Sequence, residues 1–176
     1  YTPKSFAESL PIKMEDYVCL SSFTHHPFYS TFVIEVPDNW MWASVYNVPL
    51  EEMMAVIDNA LENNYSIGWA SDVSEKGFSR TKAFAVVPED NIDNMSGTDA
   101  ERWGAMSDRE RNKALYSFDK PGKEKSITQQ MRQEAYDNYQ TTDDHGMVIV
   151  GTATDQCGNP YFKVKNSWGI RPPYDG

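Results

Sequence analysis

The sequence predicts an α+β fold, a β-rich, antiparallel and partly closed sheet with helices around it, and three observations carry that reading. Residues 147–154 are short, apolar and β-branched, and residues 161–165 alternate aromatic or apolar side chains with lysine. Between them Asp155-Gln156-Cys157-Gly158-Asn159-Pro160 is dense in turn formers, so the whole reads as a β-hairpin. Asn47-Val48-Pro49 then supplies a cap and a first-turn proline to a helix over about 48–63. Glu51 and Glu52 come early in it, and Leu50, Met53, Met54, Ile57, Ala60 and Leu61 form one stripe. Finally, Ser107-Asp108-Arg109-Glu110 and Ser126-Ile127-Thr128-Gln129 fit capping boxes and predict helices near 108–117 and 127–139.

Composition narrows the class. A chain of 176 residues, 40% hydrophobic and 13% aromatic, suits one folded domain with a core. No apolar run reaches membrane-spanning length, so no membrane partner is expected. A formal charge of -10 argues against a nucleic-acid partner, because phosphate binding needs clustered Lys and Arg. Cys19 and Cys157 make no disulfide framework and leave the compartment open. From the opening Tyr1-Thr2-Pro3, without methionine or a basic, apolar leader, the true N-terminus is expected elsewhere.

In chain order, Ser5-Phe6-Ala7-Glu8 suits one helical turn, and residues 17–23 and 28–36 read as strands flanking Thr24-His25-His26-Pro27. Adjacent histidines on a strand point to opposite faces, and no other ligand type clusters near them, so they are read as structural or surface residues and not as metal ligands. Trp40, Trp42 and Tyr46 form an aromatic stripe suited to core or subunit contact. Cys19, in an alternating setting, is expected to be a buried small hydrophobe. Residues 65–70 read as a buried strand leading to Asp72. From 78 to 140 the chain is polar, with a turn at Asp119-Lys120-Pro121-Gly122 and no catalytic motif.

The chemistry concentrates at the hairpin's open end. An antiparallel hairpin returns its flanks to one end, so His145 and Asn166 should meet there. A carboxamide oxygen that accepts from one ring nitrogen fixes the imidazole's tautomer and leaves the other nitrogen for proton transfer. Trp168 would cover the pair.

The words DDHGM (143–147) and KNSWG (165–169) resemble the histidine and asparagine segments of papain-type cysteine peptidases. MEDYVCL (14–20) and YSIGWASDVSEKG (65–77) are similar to the bleomycin hydrolase and aminopeptidase C branch of that family. The resemblance implies a papain-like fold in which residues 1–176 form a single domain, the C-terminal half of the peptidase, with 77–128 a family-variable helical insertion. It implies hydrolysis of peptide bonds by a cysteine thiolate, with His145 donating to the leaving amine and Asn166 orienting it. Trp168 and Asp144 would support the site; Asp144 would stabilise the imidazolium, or equally cap a turn. Gly68, Trp69 and Gly146 would border the peptide substrate, although Trp69 is by size as much a core residue. The resemblance further implies no cofactor and no metal, a hexameric ring, cytoplasmic location, and a final segment beyond residue 176 that restricts cleavage to peptide ends.

The family's Cys-Gly-Ser/Ala-Cys-Trp/Tyr word is missing from this chain, so the nucleophile is expected on a preceding N-terminal segment, which becomes a required partner. Two other readings compete. One is a catalytically inactive peptide-binding or structural module on the same fold; the other is a metal hydrolase built on Asp143, Asp144 and His145. The latter ranks last, because consecutive residues rarely present three ligands to one ion.

Overall fold

Thr2 and Pro3 start the first helix, α1 (Pro3–Ser9). The Thr2 hydroxyl accepts from the Ser5 amide at 3.1 Å and the Ser5 hydroxyl accepts from the Thr2 amide at 2.8 Å, a reciprocal cap that extends the expected single turn to seven residues. The computed structural model describes residues 1–90, 97–117, 119, 121–142 and 145–169. They fall into two compact units, Tyr1–Met54 and Ala55–Gly176.

In the first unit, strands β1 (Leu20–Ser21), β2 (Thr31–Val33) and β3 (Ser44–Asn47) form a sheet of order β1-β3-β2, with β1 parallel and β2 antiparallel to β3. These strands are far shorter than the expected 17–23 and 28–36, because the chain between them is held as a turn. Asn47 is fully buried. Its amide nitrogen donates to the carbonyls of Phe23 (2.8 Å), His26 (3.0 Å) and Pro27 (3.2 Å), and its oxygen accepts from the Phe23 amide at 2.9 Å. The side chain read as a helix cap is therefore spent on satisfying a buried turn.

Several other expectations for this unit are corrected. His25 and His26 lie in that turn, not on a strand; their rings stand 4.8 Å apart and both meet Phe32, His26 stacking on it at 4.2 Å. Cys19 precedes the two-residue β1 and is exposed rather than buried. Trp40 and Trp42 are 78% and 67% exposed and contribute nothing to this chain's core, which in this unit is Phe23, Phe32 and Val48.

The division between units falls within helix α2 (Leu50–Glu62), the predicted amphipathic helix. It ends where Asn64 adopts a left-handed conformation (φ 63) and the Tyr65 amide donates to Ala60 at 2.9 Å, a helix stop that asparagine tolerates better than most residues.

After the later part of α2, the second unit passes through β4 (Ile67–Ser71) and a small hairpin of β5 (Phe78–Ser79) and β6 (Phe84–Ala85), and then runs through three helices. Of these, α3 (Thr98–Ala105) has no side-chain cap and was not expected. Helix α4 (Asp108–Leu115) carries the predicted box between Ser107 and Glu110. Helix α5 (Gln129–Asp137) is capped by Thr128, which accepts from the Met131 amide, and not by Ser126. The chain closes with β7 (His145–Thr154) and β8 (Pro160–Lys165), which join β4 in an antiparallel sheet of order β4-β7-β8. This sheet is open at both edges, so the partly closed sheet of the sequence reading gives way to small open ones. Met147 and Ile149 form its buried apolar face. Among the described residues no helix is long and apolar enough to cross a membrane. The predicted 119–122 turn includes Lys120, which lies outside the described residues.

Candidate active site

Register decides which side chains share the site. Near its open end the hairpin pairs Val148 with Lys165 and Ile149 with Val164; beyond the middle it pairs Gly151 with Lys163 and Thr152 with Phe162. The pairing slips by one between Ile149 and Gly151, leaving Val150 as an extra residue, a β-bulge. Side chains alternate faces, so one extra residue exchanges faces for everything beyond it. With the bulge, Ile149 and Val164 share a face, and stepping outward by two places His145 on the face of Asn166 and Trp168. Were Val150 paired instead of bulged, the register set by the turn would put Asn166 on the face opposite His145.

The turn itself is fixed by Asp155. Its carboxylate accepts from the amides of Cys157 (2.8 Å) and Asn159 (2.9 Å) and from the Asn159 side chain (2.7 Å). Burial pushes this carboxyl up, and the hydrogen bonds from Asn159, Cys157 and Gly158 outweigh it, so it lies below its ordinary value. Cys157 sits in this turn, at the end of the hairpin remote from His145.

At the open end, His145 Nε2 lies 2.8 Å from Asn166 Oδ1. The direction of that bond follows from a second contact: the Ser167 amide donates to the same Oδ1 at 2.7 Å. A backbone N–H only donates, so the atom it meets is the carboxamide oxygen, and His145 must donate as well. The proton is thus on Nε2, and Nδ1 is the nitrogen with a lone pair to offer.

Trp168 covers the imidazole. The rings stack at 4.5 Å and 28°, which fixes the ring plane that the hydrogen bond leaves free to tilt. Phe78 meets the indole edge-on at 6.1 Å, and the Arg80 guanidinium carbon lies 4.7 Å over it. Phe78 and Arg80 were not anticipated. The only trace in the sequence is Gly77: a Cβ there would stand 2.0 Å from the Val86 carbonyl oxygen, so only glycine lets this hairpin close, with the Val86 amide donating to Gly77 at 3.0 Å.

The approach to His145 is also held. Asp72, just past β4, accepts from the Thr142 amide (2.9 Å) and hydroxyl (3.4 Å) on one oxygen and from the Ser74 amide (2.8 Å) and hydroxyl (2.7 Å) on the other. Next to it the Thr141 hydroxyl donates to Glu75 at 2.5 Å. Burial raises the Asp72 carboxyl, but the hydrogen bonds from Thr142 and Ser74 more than offset this and hold it below the usual carboxylate range.

Of the other predicted site residues, Asp144 lies outside the described residues, as does Asp143. Strand β4 runs beside the histidine strand as expected, pairing Ser71 with His145, Trp69 with Met147 and Gly68 with Val148. It is not a buried strand: Gly68, Trp69 and Ala70 are exposed, Trp69 at 39%. Trp69 shares the His145 face, whereas Gly68 and Gly146 belong to the alternate positions. A Cβ at either glycine would meet nothing within 4 Å, so neither is glycine for packing reasons within this chain. The Ser71 hydroxyl, across from His145, is buried with no hydrogen-bond partner. No group of three side chains suited to holding a metal occurs among the described residues.

No protein-family model matches the chain, and no curated protein matches it by sequence. Among solved structures it is similar to PepW from Lactobacillus rhamnosis HN001, with a TM-score of 0.61 and 18% identity over 100% of this chain. The alignment covers 34% of the PepW chain, so the present chain spans about a third of that protein's length. At this identity the likeness bears on architecture alone: the mixed α and β fold of this chain is like that of the aligned part of PepW.

Proposed function

We propose that this chain supplies the histidine and asparagine of a papain-type cysteine peptidase, similar to aminopeptidase C, whose thiol comes from a segment other than residues 1–176. The observation that carries the proposal is the 2.8 Å bond from His145 Nε2 to Asn166 Oδ1 beneath the Trp168 ring, which leaves Nδ1 as the working nitrogen. In this reading Nδ1 takes the proton of a cysteine thiol. The thiolate attacks the peptide carbonyl, and the imidazolium returns the proton to the leaving amine. Water, deprotonated by Nδ1, then hydrolyses the thioester. Asn166 and Trp168 orient the ring through both steps. Exposed Trp69 and the open strip at Gly68 and Gly146 border the peptide, and a homo-oligomeric ring in the cytoplasm accompanies the family reading.

The test is single-turnover cleavage by the full polypeptide that carries this chain. His145→Ala should lower the rate by at least about 10²–10⁴-fold, the usual worth of a general acid and base. Asn166→Ala should cost less, because it orients without transferring a proton, and Trp168→Ala less again. Full activity in His145→Ala overturns the proposal. A full polypeptide that binds peptides but cleaves none in any variant is the inactive module instead.

A further inference from the structure

We propose that Arg80 receives the free carboxylate of the substrate's leaving portion, so that the site selects short peptides ending one or two residues beyond the scissile bond. The inference rests on the peptidase reading above and adds to it a substrate class.

The chemistry places the leaving portion. The leaving amine must lie within hydrogen-bond reach of His145 to receive its proton, so whatever follows the scissile bond begins beside the imidazole. Trp168 lies against that imidazole at 4.5 Å, and Arg80 lies over Trp168 at 4.7 Å. Two ring contacts thus separate the proton donor from the cation. A peptide residue spans about 3.5 Å when extended, so a leaving segment of one or two residues covers the gap.

Arg80 is also free to do this. A guanidinium resting on an aromatic face keeps its five N–H donors in its own plane, where they can meet both oxygens of a carboxylate. Acidic residues outnumber basic ones 26 to 16 in this chain, and Lys82, Arg111 and Lys125 each have an aspartate partner. Among the described residues no carboxylate forms an ion pair with Arg80, although it is exposed to solvent. Its backbone is held as well: Phe78, two residues earlier, packs edge-on to the same indole, and Gly77 is tied to Val86. A positioned cation with no ion-pair partner among the described residues, beside a histidine and asparagine pair, is suited to an anionic group on the substrate.

The experiment compares trialanine with trialanine amide as substrates of the full polypeptide. The free acid should be turned over with kcat/KM about 10–100-fold higher, as a charge-assisted hydrogen-bonded pair would give. Arg80→Gln should bring that ratio to about one, Arg80→Lys should keep part of it, and Arg80→Glu should reverse it in favour of the amide. Support of Trp168 alone would lower turnover of both substrates together and leave the ratio unmoved in Arg80→Glu, which would overturn the inference. A wild-type ratio near one also overturns it, while leaving the peptidase reading intact. Failure of the wild type to cleave any peptide overturns both.

Discussion

One oxygen atom organises the site: Asn166 Oδ1 takes the Ser167 amide and the His145 ring together. Replacing Asn166 by alanine should therefore release both donors, whereas Asn166→Asp keeps an acceptor and should retain more activity; single-turnover rates of the two variants decide. Asp72 acts one step further out, through Thr142. Its folded carboxyl titrates below the ordinary value, so the anchoring of Thr142 is fully present above the unfolded value of about 3.9 and is lost as pH falls through the folded one. Amide exchange at Thr142 should accelerate over that acid window in the wild type. Asp72→Asn, which has no carboxyl to protonate, should lack the acid step. Loss of the anchor in Asp72→Ala should cost roughly tenfold in kcat with little change in KM, since small misplacements of a catalytic group are felt strongly. An Asp72→Ala enzyme with wild-type kcat would remove Asp72 from any positioning role.

Elements bring these side chains together, and the hairpin does so with one residue left unpaired. Deleting Val150 should restore uninterrupted pairing without changing partners, so His145, Asn166 and Trp168 should keep a common face and their activity, while the turn end of the hairpin is turned over and Tyr161 leaves the Phe84 ring it meets at 5.0 Å. Retained cross-strand contacts between β7 and β8 and a retained His145 to Trp168 ring contact by nuclear magnetic resonance, with loss of the Phe84 to Tyr161 contact, would be the expected pattern. Gly77→Ala should instead disturb the Trp168 indole. A Cβ 2.0 Å from a backbone oxygen forces β5 away from Val86, at a cost of about 1–3 kcal/mol, and loosens Phe78 from Trp168. A lower thermal midpoint with unquenched Trp168 fluorescence would report it. The contrast between these devices and the rest explains what was legible in advance. Helix α4 and the hairpin arms are written in residues a few positions apart, Ser107 with Glu110 and the alternation of 161–165. The bulge is a property of register between two strands, and Asn47 closes on carbonyls 20 or more residues away, so neither leaves a local pattern. Helix α3, begun at Gly97 without a side-chain cap, carries no start signal either.

For the whole molecule, exposed surface is the informative quantity. Among the described residues the buried apolar side chains are few, Phe23, Phe32 and Val48 in one unit and Met147 and Ile149 in the other, while Trp40, Met41 and Trp42 stand in solvent. A buried hydroxyl without a partner, Ser71 opposite His145, fits the same picture of groups that await a complement. If the proposed thiol-bearing segment packs on this chain, it should cover such surface, and residues 1–176 produced alone should self-associate or unfold at low temperature. Co-expression with the proposed thiol-bearing segment should raise the thermal midpoint and give a defined assembly by light scattering. The thiol chemistry should follow the same division. An epoxide inhibitor directed at reactive thiols should label the reassembled protein at a cysteine outside residues 1–176 in a His145-dependent manner. Any reaction at exposed Cys19 should be slow and indifferent to His145→Ala. A stable monomer of residues 1–176 would overturn the need for a complement, and His145-dependent labelling at Cys19 would place the nucleophile within this chain.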